Sequence, residues 1–145
     1  MRGFNKLKDN AIIPSRKTEC SAGYDIHVPT DKEIIIHPSE TVMIASNIAV
    51  FMDENEYFTI HIRSSAGIKK KLQLANGVGI IDSDYYGNED NGGNIILAIR
   101  NYGNETVILQ PGERIAQGIF HRYLTASDEK KPNEKRNGGI GSTGT

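Results

Sequence analysis

Apolar residues along this chain fall in short alternating runs separated by turn chemistry, the pattern of half-buried strands rather than of helices. After a polar lead-in, Ile12 and Ile13 precede Pro14, and alternation from Ala22 to Val28 reads as a strand stopped by Pro29. Further β-rich runs cover Glu33 to His37, Thr41 to Phe51, Tyr57 to Ile62, Asn94 to Asn101, Glu105 to Leu109 and Arg114 to Tyr123. The connectors carry turn formers: Pro38-Ser39, Asp53-Glu54-Asn55, Tyr102-Gly103-Asn104 and Pro111-Gly112. Many short strands at this spacing predict an all-β domain, an antiparallel sandwich, jelly roll or barrel. One short helix is expected from Ser64 to about Leu74, with Ser64 or Ser65 as N-cap and three lysines near its end.

Two stretches break the pattern. Asn88 to Gly93, NEDNGG, is too polar and glycine-rich for a strand and reads as a loop tip. From Thr125 onward almost nothing is apolar, so that segment cannot bury enough surface to fold alone. The expected organisation is therefore one β domain over residues 1–124 and a flexible C-terminal arm over 125–145.

Charge and cysteine content narrow the picture further. The 17 basic and 18 acidic side chains of the 145 residues are mixed along the chain, which argues against a surface built to grip nucleic acid. Cys20 stands alone, so there is no internal disulfide and no cysteine metal cluster, as fits a reducing compartment. No run reaches the roughly 18 apolar residues of a membrane span. A soluble, cytoplasmic protein is expected.

The chemistry centres on LANGVGIIDSDYYG, Leu74 to Gly87. Branched residues running into Asp82 and Asp84 read as a strand delivering carboxylates to a turn, where one of them either orients a water as a general base or merely decorates a hairpin tip. RSSAG, residues 63–67, puts Arg63 beside Ser64 and Ser65 at a helix start, either an anion site or an ordinary capped helix. In GERIAQG, residues 112–118, Ile115 and Ile119 are expected to face the core and Gln117 the other side, as a surface glutamine or a ligand. KRNGGIGSTG, residues 135–144, combines cations, glycines and the hydroxyls of Ser142 and Thr143 without the context of a P-loop. An arm of that composition suits folding over a polyphosphate. His27, His37, His61 and His121 lack metal-ligand spacing and read as structural.

Taken together, AGYDI (22–26), RSSAG (63–67), NGVGIIDSDYYG (76–87), GERIAQG (112–118) and GGIGSTG (138–144) resemble, in order, the five motifs of the trimeric dUTP pyrophosphatases. The resemblance spans nearly the whole chain. It implies an antiparallel jelly-roll fold, a homotrimer with active sites shared between subunits, and Mg²⁺-assisted hydrolysis of dUTP to dUMP and pyrophosphate by water attack at the α-phosphorus. Such enzymes keep uracil out of DNA and supply dUMP for dTMP synthesis. It further implies that Asp82 activates the water and that the third motif forms a β-hairpin pocket, with Asn76 and backbone groups around Val78 and Gly79 reading the base. Tyr85 would pack against the deoxyribose, leaving no room for a 2′-hydroxyl. Asp25 would hold Mg²⁺ through water. Arg63, Ser64, Ser65 and Gln117 would bind the phosphate chain. From the arm, Ile140 and Gly141 would cover the base and Ser142, Thr143 and a cation would hold the γ-phosphate.

The arm departs from the family pattern twice. Ile140 stands where an aromatic residue commonly stacks on uracil, as in some similar proteins of bacilli and their phages, leaving Phe51, Tyr86 or Tyr102 as candidate rings. Lys135 occupies the usual arginine slot and Arg136 follows it. Arg136 is preferred as the γ-phosphate ligand because its planar fork suits phosphate. Two rivals share the fold: a dCTP deaminase, which carries a catalytic glutamate where Ala98 stands, and a non-catalytic dUTP-binding regulator with a protein partner.

Overall fold

The computed structural model describes residues 1–130, 132–133, 136 and 138–141. Ten strands run in chain order: β1 (Gly3–Lys6), β2 (Tyr24–His27), β3 (Ile34–Ile36), β4 (Thr41–Phe51), β5 (Glu56–Ile62), β6 (Leu72–Leu74), β7 (Gly79–Asp82), β8 (Asn94–Asn101), β9 (Val107–Leu109) and β10 (Arg114–Arg122). One helix, α1 (Ser64–Ile68), follows β5, and a 3-10 turn, Ser83–Tyr85, follows β7. The strands form two four-stranded sheets, ordered β1-β4-β8-β6 and β2-β10-β5-β7, with β3 and β9 as a separate pair. All pairings are antiparallel. This is the expected jelly-roll architecture.

The core lies where the two sheets face each other. Period-two alternation in β8 sends Ile95, Leu97 and Ile99 inward, each fully buried, to meet Phe58, Ile60 and Ile26 of the other sheet. Asn101 ends the same buried row, and its amide is satisfied: Nδ2 donates to the carbonyls of Ile36 (3.0 Å) and Glu105 (2.8 Å), while Oδ1 accepts from Gly103 N–H (2.9 Å). That explains how a side chain with no exposure at all can be polar. Gly118 is required by packing, since a Cβ there would lie 2.0 Å from the Phe58 ring.

Several local expectations are corrected. The helix ends at Ile68, not near Leu74, because Lys71 takes a left-handed backbone (φ 56°) and Leu72–Leu74 pairs with β8 as β6. Leu72 and Leu74 bury on the sheet while Gln73 faces out, so tertiary packing overrides helix propensity. Arg63, not either serine, occupies the N-cap, and no side chain caps the helix. The polar lead-in contains β1, which pairs with β4. A bulge between Arg114 and Ala116 places both Ile115 and Ala116 in the core, which turns Ile119 away from it together with Gln117. β6 and β7 belong to different sheets, so the third motif is a sheet-to-sheet crossing rather than a hairpin.

Candidate active site

Strand β7 delivers Asp82 to its last position, where the chain turns into the 3-10 segment that carries Tyr85. Ile81 buries and Ile80 faces out, so alternation leaves the Asp82 carboxylate exposed at the strand end. The turn before β7 is closed by Gly77 at φ 73°. These elements frame a cleft of about 430 Å³. Asn76, Gly79, Asp82 and Tyr85 line it, with Met43, Ile60, Ile96 and Ala98 as apolar wall and Arg136, Gly139, Ile140 and Gly141 from the arm as cover. Val78 lies outside the lining and is exposed.

The arm is tied to this cleft by charge. Arg136 donates from Nη2 to Asp82 Oδ2 (2.7 Å) and from Nε to Asp84 Oδ1 (2.8 Å), and its guanidinium lies 5.8 Å from the Tyr85 ring centroid. Gly139 N–H donates to Asp90 Oδ2 at 2.7 Å. Ile140 remains 68% exposed, a lid edge rather than a core residue. Of the proposed substitute rings, Phe51 and Tyr86 pack on each other with centroids 5.8 Å apart and Tyr102 donates to the Gly67 carbonyl (2.7 Å). Among the described residues none of the three lines the cleft, and Tyr85 is the ring that does. Lys135, Ser142 and Thr143 lie outside the described residues.

A second cleft of about 330 Å³ is lined by Lys17, Ser21, Gly23, Asp25, Arg63, Ser64, Ser65 and Gln117. Its centre is a three-member ion group. Asp25 is buried on β2 and takes Arg63 Nε on Oδ1 (3.0 Å) and Arg114 Nη1 on Oδ2 (2.9 Å). One carboxylate shared by two guanidiniums leaves the group with a net positive charge, Arg63 and Asp25 being the members that line the cleft. Register pairs Asp25 with Gln117 across β2 and β10, and a Cβ on Gly23 would fall 2.4 Å from Gln117 Oε1. Gly23 is thus what lets the glutamine lie against the strand. Beside this group, burial pushes the His27 imidazole below its ordinary pKa, and Asp25 offsets part of that.

Most of the residues singled out in the sequence converge on these two clefts. Arg114 was missed, although it lies within GERIAQG; the register sets it opposite His27, and its side chain reaches Asp25 two residues along β2. Lys17, Asp90 and Asn91 were also missed, since nothing in their spacing marks them, whereas Asp84 was read with Asp82 as a carboxylate delivered to the turn. His61 and His121 both hydrogen-bond Thr59 Oγ1, at 2.9 and 3.0 Å, as structural groups. Among the described residues no cluster of three or more His, Cys, Asp or Glu is positioned to hold a metal ion, and no helix is long and apolar enough to cross a membrane.

Comparison with known proteins converges on one family. The dUTPase family model matches residues 9–144. A deoxyuridine 5′-triphosphate nucleotidohydrolase of Lactococcus lactis is 42% identical over 149 residues, covering 99% of this chain and 98% of that protein. One from Tolumonas auensis is 37% identical, covering 91% and 87% respectively. The crystal structure of dUTPase from Streptococcus mutans superposes with a TM-score of 0.79 at 35% identity, covering 86% of this chain and 98% of that one. A mutant dUTPase from phage phi11 of S. aureus, whose structure describes coordination of a structural Mg(II) ion, shares the fold with a TM-score of 0.76 at 22% identity.

Proposed function

This chain belongs to the dUTPase family, and from that premise we propose how its two clefts divide the hydrolysis of dUTP. The enzyme is a dUTP diphosphatase. The observation that carries the assignment of roles is the position of Asp82, a rigidly held, exposed carboxylate at the rim of a cleft walled by Tyr85, Asn76 and apolar side chains. In this reading Asn76 and the Val78–Gly79 backbone recognise uracil, Tyr85 packs against the deoxyribose, and Asp82 takes a proton from the water that attacks the α-phosphorus. Arg63, Ser64, Ser65 and Gln117 bind the phosphate chain. Ile140 and Gly141 cover the base. Arg136 exchanges Asp82 and Asp84 for the γ-phosphate, with Ser142 and Thr143 beside it, as the arm closes.

A single copy cannot use both clefts on one nucleotide. Asp82 is on β7 and Asp25 on β2, the two edges of one sheet, three strand spacings apart. Their partners on β5, Tyr57 and His61, are four residues apart. Strand spacing and rise then put the two carboxylates on the order of 19 Å from each other. This distance supports a homotrimer in which the nucleoside cleft of one subunit meets the phosphate cleft of another.

Members of the family generally depend on Mg²⁺. The chain supplies one suitable carboxylate, Asp25, whose two oxygens already accept from Arg63 and Arg114. A lone, engaged carboxylate fits a hydrated ion held through water and does not fit a cage of direct protein ligands. Asp25 would hold such an ion through water, and the ion would supply charge neutralisation for the phosphates. The chain's own donors then orient the phosphates against Asp82 and stabilise the charge that develops.

The deaminase alternative is not favoured: Ala98 forms part of the cleft wall and brings no carboxylate. A nucleotide panel with Mg²⁺ tests the reading. Pyrophosphate from dUTP but not from dTTP, UTP or dCTP, abolished in Asp82→Asn, is expected. Ammonia from dCTP, or tight dUTP binding without turnover, would instead favour the deaminase or the regulator.

A further inference from the structure

The Asn88–Gly93 loop is polar and glycine-rich, yet it is wired to the Tyr85 side chain. Asn88 is only 7% exposed. Its Nδ2 donates to the Tyr85 carbonyl (2.8 Å), and its Oδ1 accepts from the N–H groups of Asp90 and Asn91 (both 3.1 Å). Gly93 closes the loop against the chain it left: it sits at φ 86°, and a Cβ there would lie 3.0 Å from Gly87 N and Tyr86 Cα. The loop backbone is thereby fixed to the segment carrying Tyr85.

Asn91 is the member that reaches the ring. Its Oδ1 accepts from Asn88 Nδ2 (2.9 Å), Gly93 N–H (3.0 Å) and Asn94 N–H (3.2 Å). Three donors converging on that atom settle which end of the amide is oxygen, and the other end, Nδ2, then donates to Tyr85 Oη at 2.9 Å. The phenol in turn donates to the Asn94 carbonyl (3.0 Å). Tyr85 is therefore held at its hydroxyl by a donor and an acceptor, both from the loop or the strand that leaves it.

We propose that Asn91 is a positioning residue for sugar selection, and that the Asn88–Gly93 loop sets the height of the Tyr85 ring so that a 2′-deoxyribose fits and a ribose does not. The inference rests on the reading of Tyr85 as the sugar-packing residue. Excluding one hydroxyl requires a wall that does not yield, and a ring free to slide by a fraction of an ångström would admit it. Two hydrogen bonds at the phenol remove that freedom without placing any loop atom on the substrate. The arm seats on the same loop, through Gly139 N–H on Asp90, so arm docking and ring position share one support.

The test measures kcat/KM for dUTP and for UTP in the wild type, Asn91→Asp, Tyr85→Phe and the double variant. Asn91→Asp keeps an oxygen for the loop N–H groups and replaces the donor to the phenol by a second acceptor. The single phenol O–H can then serve either the new carboxylate oxygen or the Asn94 carbonyl, and one of the two hydrogen bonds holding the ring is lost. The dUTP:UTP preference is expected to fall about tenfold in Asn91→Asp, the scale of one lost hydrogen bond, by a similar factor in Tyr85→Phe, and no further in the double variant. An equal loss on both nucleotides in Asn91→Asp, or independent effects that multiply in the double variant, would overturn the inference. Should Asn91→Asp not fold, Tyr85→Phe decides alone, because an unchanged preference there means the phenol is not what holds the ring. A wild type that hydrolyses dUTP and UTP alike overturns the Tyr85 reading and this inference with it. A wild type that prefers dUTP, with Asn91→Asp unchanged, sinks the inference and leaves the Tyr85 reading standing.

Discussion

The two clefts at opposite edges of one sheet hold charge in opposite ways. In the cleft at β2, proposed above to take the phosphates, Asp25 is buried and neutralised in advance by two guanidiniums, so the ion group is assembled by folding and its surplus is positive. In the nucleoside cleft Asp82 and Asp84 are exposed, and their counter-ion comes from the arm rather than from the sheet. The first arrangement suits a ligand part that is always anionic and needs no discrimination. The second suits a base and sugar selected by fixed shape, beside a carboxylate whose partner must leave before it can act. Removing charge from one cleft should therefore damage stability as well as activity, and from the other activity alone.

Asp82→Asn gives the largest expected effect. In the proposed role of proton acceptor, its loss should lower kcat by about 10²–10⁴-fold, with the melting temperature unchanged because the side chain is half exposed and its partner is a single arm residue. A coincident drop in melting temperature would break the contrast. Asp25→Asn is the counterpart. An amide can accept from Arg63 but turns an N–H toward Arg114, leaving two cations close together at a partly buried site. The expected cost is about 2 kcal/mol, less than for a fully buried pair because both arginines keep some exposure to water. Activity should fall with it, and calorimetry beside steady-state assays checks both. Stability unchanged in Asp25→Asn would mean the ion group is not preassembled.

Gly23→Ala sharpens the comparison by touching the phosphate cleft without removing charge. The new methyl group meets the Oε1 end of Gln117, a flexible side chain that can swing away. KM for dUTP should rise several-fold while stability holds or gains about 0.5 kcal/mol from the stiffer unfolded chain. A fall in kcat with KM unchanged would place Gln117 in the transition state instead.

How much of this was legible in the sequence follows the same division. β4 and β8 were readable to the residue, because eleven- and eight-residue runs with branched side chains leave little else to form. Of the short strands, β2, β3, β7 and β9 lay within the runs read as strands, but β1 and β6 did not, because they owe their existence to pairing with β4 and β8, a tertiary fact that a four- or three-residue segment does not announce. Asp82, Asp25, Arg63 and Gln117 were visible as motif residues. Arg114 was not, because its role depends on β2 and β10 being neighbours across a bulge. The Asn88–Gly93 loop was legible as a loop and opaque as a support, since its value lies in side-chain hydrogen bonds to Tyr85 that polarity alone does not foretell.

The smallest effect expected lies at neither cleft and guards the comparison against a false reading in acid. Glu56, at the start of β5, receives hydrogen bonds from Arg2 and from Asp53 N–H, and the Arg2 hydrogen bond holds its carboxyl below the ordinary value of 4.5. A carboxyl with a lowered pKa in the folded state contributes stability that is present above 4.5 and lost as pH falls through the folded value, because the unfolded chain takes up the proton first. Glu56→Gln should remove that part of the acid dependence, seen as a shallower fall of melting temperature with pH below 4.5. Arg2 and Glu56 tie the residue before β1 to the start of β5, one position from Tyr57, the register partner of Asp82, so the melting temperature, not activity, is the readout of this pair. A fall of melting temperature with pH that is the same in both proteins would mean that the Arg2–Glu56 pair contributes nothing to the acid dependence.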